Sequence, residues 1–386
     1  MRPVLLFALL LVTAGVRAET TPEDGLVRAI EAVLAGDLQA AERELAPLLS
    51  MRPRFHLAHL IQADLLAARA GRAPALADTA DGAVRALARE ARRRLAGRER
   101  ALALAGLPSN FLRVPDSVDA LLVADVGNSR LLRLGRRDGR LEPVADYYMS
   151  IGRLGAGKQR AWDRRTPLGV YFFVARLEDD ELAERYGALA FPVDYPNAWD
   201  LNRGRSGDGI WLHGIDRAGY SRPPRDSDGC VVVANDDLLA LAPYIAQQST
   251  PLIVAREFDW QQPAGTDDRA VLAAELETTL ENWRSAWEAG DAERWLAHYA
   301  DEFAPPGHAD GGAWRAARGR ALAQRAVQAV VLRELMLVRY PEEEGLFMAR
   351  FRLDLSTANG SRASLKRLYL RRDERGGFRI VAAGNG

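Results

Sequence analysis

Cysteine is nearly absent from this chain: its 386 residues contain one, Cys230. An intramolecular disulfide is thereby excluded, and the thiol is buried filler, half of a bridge between molecules, or a reactive group. Histidine is scarce as well, with five. Neither sign of charge prevails, 52 basic residues facing 52 acidic ones, so the chain lacks the net positive charge of a nucleic-acid binder and none is expected as a partner. No glycine-rich phosphate cradle is present, and His56 and His59, which share a helix face, have no carboxylate or thiol to complete a metal site. No cofactor and no metal are expected. The apolar run Val4 to Val12 is too short to cross a bilayer and no later stretch is a better candidate, so no membrane span is expected.

What the N-terminus does carry is the pattern of a secretory signal. Arg2 supplies the positive start, Val4 to Val12 the apolar stretch, and Val16-Arg-Ala18 a small-residue cleavage site. Residues 1–18 are expected to be removed on export to the periplasm, and with no cysteine directly after the cleavage site no lipid anchor is expected. In an oxidising compartment a lone thiol is either buried or used.

The surroundings of Cys230 favour use. Ser227-Asp-Gly229 is a strong turn signal ahead of the apolar run Val231 to Val233, which places Cys230 where a loop enters a strand. Gly229 permits close backbone approach and torsions that a Cβ forbids. A thiol nucleophile needs a base. His213 ends the apolar run Ile210 to Leu212, and Gly214 follows it. His56, His59, His298 and His308 fall in segments that read as other units, so His213 is the imidazole available to Cys230.

These residues carry a resemblance. His213-Gly214, a variable loop, then Ser227-x-Gly229-Cys230 resembles the catalytic signature of the L,D-transpeptidase (YkuD-type) family of bacterial cell-wall enzymes. Arg165-Thr-Pro-Leu-Gly-Val-Tyr171 resembles that family's Thr-Pro-x-Gly-x-aromatic strand, and Tyr186-Gly187 with Asp194-Tyr-Pro-Asn197 resembles the run before its histidine. The likeness spans roughly residues 112 to 256 and departs from the pattern twice. Asp228 stands where many members have histidine, and Val232 where many have an arginine that helps to hold substrate; Arg203, Arg205, Arg217, Arg222 and Arg225 flank the motif as replacement cations.

The resemblance implies attack by the Cys230 thiolate on a peptidoglycan stem tetrapeptide, after His213 takes its proton, with loss of D-alanine. The Gly214 carbonyl would orient the imidazole and the Gly229 and Cys230 amides would hold the oxyanion. Ser227, Asp228, Tyr195, Asn235 and Arg225 are the expected substrate-binding residues. An amine acceptor would make the protein a transpeptidase and water an L,D-carboxypeptidase; a wall-binding scaffold whose site has decayed through Asp228 and Val232 is the non-enzyme alternative. The arginine-rich stretch Arg85 to Arg100, interleaved with Glu90 and Glu99, reads as a solvated helix face or a contact for anionic wall polymer.

Around this centre a multidomain α+β chain is expected. Residues 19–106 read as helical, with Leu26, Ile30, Val33 and Leu34 at helix spacing and Gly36-Asp37 closing one helix and capping the next, a tetratricopeptide-like hairpin suited to scaffolding or dimerisation. Residues 107–260 read as the mainly β catalytic domain, with a hairpin of Ala120–Ala124 and Arg130–Leu134 and further strands at 170–175, 210–213, 231–234 and 251–255; Asn235-Asp-Asp237 is expected to cap a helix from Leu238 to Ala246. Residues 261–386 begin with a Pro/Gly linker and continue as helices followed by strands at 330–339, 346–356, 362–372 and 378–383. In the second of these strands Phe347, Ala349, Phe351, Leu353 and Leu355 take one face, and Met348, Arg350, Arg352 and Asp354 the other. Trp287, Asp291, Tyr299 and Phe303 followed by this sheet resemble the NTF2-like (SnoaL-like) domain, a cone with a pocket. The pairing of the two domains is similar to the L,D-carboxypeptidases that set cell shape in helical bacteria, and either outer domain could mediate a homodimer.

Overall fold

The computed structural model describes residues 21–72, 81–102, 104–217, 219–260, 268–305, 311–324 and 327–386; the expected signal segment and the linker at 261–266 lie outside them. Four helices come first: α1 (Pro22–Leu34), α2 (Leu38–Met51), α3 (His56–Arg69) and α4 (Gly82–Leu102). Gly36, at φ +76°, ends α1, and the Asp37 carboxylate caps α2 by accepting from the Ala40 amide at 2.9 Å, as the Gly-Asp pair predicts. Leu26, Ile30, Leu45, Leu48, Phe55 and Ile61 form their core.

The middle of the chain contributes β1 (Phe111–Arg113), β2 (Ala120–Asp125), β3 (Arg130–Arg137), β4 (Arg140–Tyr148), β5 (Ile151–Gly152), β6 (Gly169–Phe172), β7 (Ala190–Pro192), α5 (Ala198–Asn202), β8 (Trp211–His213), β9 (Arg225–Ser227), β10 (Val231–Val232), α6 (Asn235–Leu241) and β11 (Pro251–Ala255). Five of these strands form a mixed sheet in the order β4-β3-β2-β11-β6, and β10-β8-β7 and β5-β9 form two small ones. The predicted hairpin is β2–β3, with Leu121 opposite Leu134 and Val123 opposite Leu132.

All of β2 is buried, because the large sheet is covered on both sides. Leu122, Ala124, Leu252 and Val254 face the core that leads to the site. Leu121, Val123, Val170, Phe172 and Ile253 face the C-terminal part of the chain.

That part supplies α7 (Asp268–Glu288), α8 (Ala292–Leu296), α9 (Gly311–Gln324), β12 (Val327–Arg339), β13 (Leu346–Thr357), β14 (Gly360–Arg372) and β15 (Phe378–Asn385). The sheet order is β1-β12-β13-β14-β15, antiparallel throughout. The three-residue β1, too short to show a periodicity, joins this sheet by pairing with β12. Phe347, Ala349, Phe351, Leu353 and Leu355 pack under the helices with Leu280, Trp283 and Trp295, the face expected from alternation. Trp283, Trp287, Trp295, Tyr299 and Trp314 also ring a cavity of about 420 Å³, with Lys366 on its wall.

The opposite face of β13 is divided, with Arg352 exposed and its other half covered. Met348 packs against the central sheet. Arg350 is buried, lies 4.1 Å from the Phe172 ring and donates to the Gln248 carbonyl. Arg367, also buried, pairs with Asp194 at 2.6 Å. Two arginines enter this interface because each has an acceptor and the flat face of an aromatic ring.

Candidate active site

The site is set by strand register. β8 and β10 run parallel, with Leu212 opposite Val231 and His213 opposite Val232. Side chains alternate along a strand, so Cys230, two residues before Val232, takes the face that His213 takes. Trp211 and His213 on that face both meet the Tyr186 ring, at 4.9 and 5.0 Å.

The turn ahead of the thiol is fixed from three directions. Gly229 sits at φ +135°, and a Cβ there would come 2.9 Å from the Arg165 carbonyl, so only glycine fits. The Ser227 hydroxyl accepts from the Gly229 amide at 3.1 Å and donates to the Cys230 carbonyl at 2.7 Å. Thr166, from the Thr-Pro motif, accepts from the Gly152 amide at 3.0 Å and donates to the Gly229 carbonyl at 2.8 Å. Cys230 itself is half-buried, and its thiol donates to the Gly209 carbonyl at 3.4 Å.

His213 is buried, with Nδ1 2.6 Å from the Gly214 carbonyl. A carbonyl can only accept, so Nδ1 carries the hydrogen and Nε2 presents a lone pair. The segment after His213 is clamped by Asn235, whose Oδ1 accepts from the Ile215 amide at 3.1 Å and whose Nδ2 donates to the Ile215 carbonyl at 3.0 Å. Gly187 and Gly214 both pack on that carboxamide, where a Cβ on either would overlap it.

Several expected substrate contacts are therefore reassigned. Ser227 is buried and its hydroxyl is engaged within the turn. The Gly229 amide, expected in an oxyanion hole, already donates to Ser227. Asn235 does not cap a helix as expected: α6 begins at Asn235 with Ala234 as an N-cap that makes no side-chain bond, because the carboxamide reaches back to Ile215.

Tyr195 is a core residue, its ring 5.9 Å from Tyr171 and its hydroxyl donating to the Ser206 carbonyl at 3.2 Å. Asp228 is exposed and lies 3.8 Å from Arg153, an ion pair of little energetic weight. Arg225 is exposed and lines a groove beside α4.

Val232, where the resemblance leads one to expect an arginine, is buried and bonded to Ser150 through both backbone groups. Two cations lie close enough to Cys230 to favour its thiolate, Arg222 and Lys158. Arg222 also acts on His213, donates to the Arg185 carbonyl at 3.4 Å, and has its own carbonyl held by the Tyr148 hydroxyl at 2.9 Å. Lys158 is buried against Asp163 at 3.0 Å. Sequence reasoning missed Lys158, although its rarity was a signal: Lys158 and Lys366 are the only lysines in the chain.

Burial dominates the electrostatics. It pushes the Cys230 thiol up to about 11, with Asp228 adding and the Trp211 amide, Arg222 and Lys158 opposing. It pulls His213 down to about 4, with the Gly214 carbonyl opposing and Arg222 and Arg185 adding. At neutral pH the pair thus rests as thiol and neutral imidazole, and the proton must move when a substrate is in place. Alkylation of Cys230 by iodoacetamide is expected to accelerate about tenfold per pH unit up to about pH 10, because only the thiolate reacts. A rate already level at neutral pH would instead mean a resting thiolate–imidazolium pair.

A lone thiol at a strand entrance, with a backbone-oriented imidazole on the same sheet face, is an arrangement that can carry cysteine acyl-transfer chemistry. The family comparison is specific: residues 119–254 match the L,D-transpeptidase catalytic domain (YkuD), and residues 275–384 match the Cds6 C-terminal NTF2-like domain. The chain thus carries an L,D-transpeptidase catalytic domain followed by an NTF2-like domain. Among solved structures it is similar to Bd1075 of Bdellovibrio bacteriovorus, at 24% identity and TM-score 0.58, covering 72% of this chain and 98% of that one. It is also similar to the helical cell shape determining protein Pgp2 of Campylobacter jejuni, at 21% identity and TM-score 0.58, covering 73% and 94%. At these identities the likeness is one of fold. No curated protein matches the chain.

Proposed function

We propose that the protein is exported to the periplasm and there cleaves the terminal peptide bond of a peptidoglycan stem tetrapeptide through an acyl-enzyme on Cys230. The observation that carries this reading is the parallel register of β8 and β10, which sets the thiol and an imidazole with a free Nε2 lone pair on one face. His213 Nε2 takes the thiol proton as sulfur bonds to the carbonyl carbon of the third residue. With the Gly229 amide engaged, the amide of Cys230 meets the developing oxyanion. The carbon–nitrogen bond then breaks, His213 returns the proton to the departing amine, and D-alanine leaves a thioester on Cys230. Arg222 is the cation placed to hold a substrate carboxylate, in the role that Val232 cannot fill.

An amine of a second stem then displaces the thiolate and makes a cross-link. The alternative acceptor is water, which trims tetrapeptide to tripeptide; it is favoured by the shared two-domain architecture with a protein that determines helical cell shape. Incubation with disaccharide tetrapeptide and mass analysis of the products tests both. Cross-linked dimers identify a transpeptidase, and tripeptide plus free alanine a carboxypeptidase. Absence of both products and of any acyl adduct on Cys230 overturns the proposal in favour of a wall-binding scaffold.

A further inference from the structure

The balanced charge of the whole chain conceals a local imbalance. Between α4 and the segment Pro223–Asp226 runs a groove of about 830 Å³, lined on the helix side by Arg89, Arg92 and Arg93 and on the other by Arg153 and Arg225. One acid, Asp226, lies on its wall, 3.6 Å from Arg153. The helix sorts its charges by face. Glu90 and Arg94 turn inward and pair at 3.0 Å, both buried, while Arg89 and Arg92 are exposed. Ala86 and Ala96, one turn before and after them, leave the floor open.

A helix face that only needed solvation would present its arginines on a convex surface. Here five guanidinium groups, three from α4 and two from the facing segments, line one concavity with a single acid on its wall, a charge excess that favours an anion there. The far wall is rigid, since the Pro223 carbonyl accepts from the Ser150 hydroxyl at 2.6 Å and the Pro224 carbonyl from the Ile151 amide at 3.1 Å. One arginine of the groove also reaches the turn of the site. Arg153 reaches both Asp226 and Asp228, at 3.6 and 3.8 Å, and Asp228 belongs to the turn that carries Cys230.

We infer that this groove binds a run of carboxylates: those of wall stem peptides neighbouring the stem engaged at Cys230. The identity of the ligand rests on the acylation reading given above. Guanidinium forks match carboxylates in paired hydrogen bonds, and a groove whose Arg153 also pairs with Asp228 of the nucleophile turn lies beside the wall strand engaged there. The groove thus selects polymeric wall over isolated fragments.

The test uses the full chain with Cys230→Ala, so that nothing turns over, and intact sacculi in a co-sedimentation assay. Arg89→Glu with Arg92→Glu is expected to weaken binding on the order of tenfold at low salt, and added NaCl to weaken the parent more than the variant. Sacculi stripped of stem peptides should bind the parent no better than the variant. With Cys230 intact, the same two changes should leave D-alanine release from soluble disaccharide tetrapeptide within about twofold of the parent, since both arginines lie on α4 and not in the nucleophile turn. Equal sedimentation of parent and variant overturns the inference, as does equally tight binding of the parent to stripped glycan or to anionic phospholipid vesicles. If sacculus binding needs the arginines while no form of the chain cleaves tetrapeptide, the groove keeps its ligand and the acylation reading alone falls.

Discussion

Cys230→Ala is expected to reduce D-alanine release from disaccharide tetrapeptide on the order of 10⁴-fold or more, because the acyl-enzyme has no other nucleophile through which to form. His213→Ala should cost a comparable factor, since the burial that pushes the thiol up to about 11 leaves almost no thiolate at neutral pH without a base. The two losses should not multiply in the double variant, as residues that act in one step are not additive. Folding is not expected to confound the result: Cys230 is half-buried, and alanine removes only a sulfur whose hydrogen bond, at 3.4 Å to the Gly209 carbonyl, is long. The measurement is single-turnover mass analysis alongside thermal unfolding. A Cys230→Ala protein that melts like the parent yet still releases alanine within tenfold of it would remove the thiol from the mechanism.

The parts of this site that were legible in the sequence are the ones marked by rarity or by backbone necessity. A lone cysteine and the single histidine in the same segment stand out by count, and Gly229 stands out because the turn before the thiol asks for torsions that a Cβ forbids. What could not be read is which polar side chains are already satisfied inside the protein. Ser227 and Asn235 are chemically able to bind a peptide, and only the fold shows that their hydrogen bonds close on Cys230, Gly229 and Ile215. Tyr195 was similarly hidden, its neighbour Tyr171 being brought to it by the bridge between Phe173 and Val193 and not by proximity along the chain.

Strand length explains the same contrast in the fold. β12 to β15 are eight to thirteen residues long, enough for alternation to show. β5, β9 and β10 have two or three residues, too few for any period. Alternation assigns Arg350 to the charged face of β13 but cannot show what covers it, which is the central sheet with the Phe172 ring and the Gln248 carbonyl as its partners.

The N-terminal helices are expected to position the catalytic loop as well as to scaffold, and Arg94→Ala tests it. Arg94 is almost fully buried, donates to Glu23, to Glu90 at 3.0 Å and to Ser221, and lies 3.8 Å from the Tyr148 ring. Ser221 in turn donates to Glu90, and Tyr220 inserts into the helical core 4.6 Å from Phe55. The helices thus grip the two residues before Arg222, the cation that acts on both Cys230 and His213. Removing the guanidinium leaves Glu90 buried without its cation, a loss of about 3–5 kcal/mol. The expected result is an earlier unfolding transition and, below it, a kcat/KM for tetrapeptide lowered on the order of tenfold as the loop loses its anchor.

Arg94→Met combined with Glu90→Gln should restore much of the stability, because no charge is then left unpaired. It should not restore activity, because Ser221 still lacks the guanidinium. If the double variant recovers both, the network contributes stability alone and the helices do not position the loop. If Arg94→Ala unfolds no earlier than the parent, the buried charges are not coupled as their distances indicate. Recovery of stability without recovery of kcat/KM would establish that the N-terminal helices form part of the catalytic machinery.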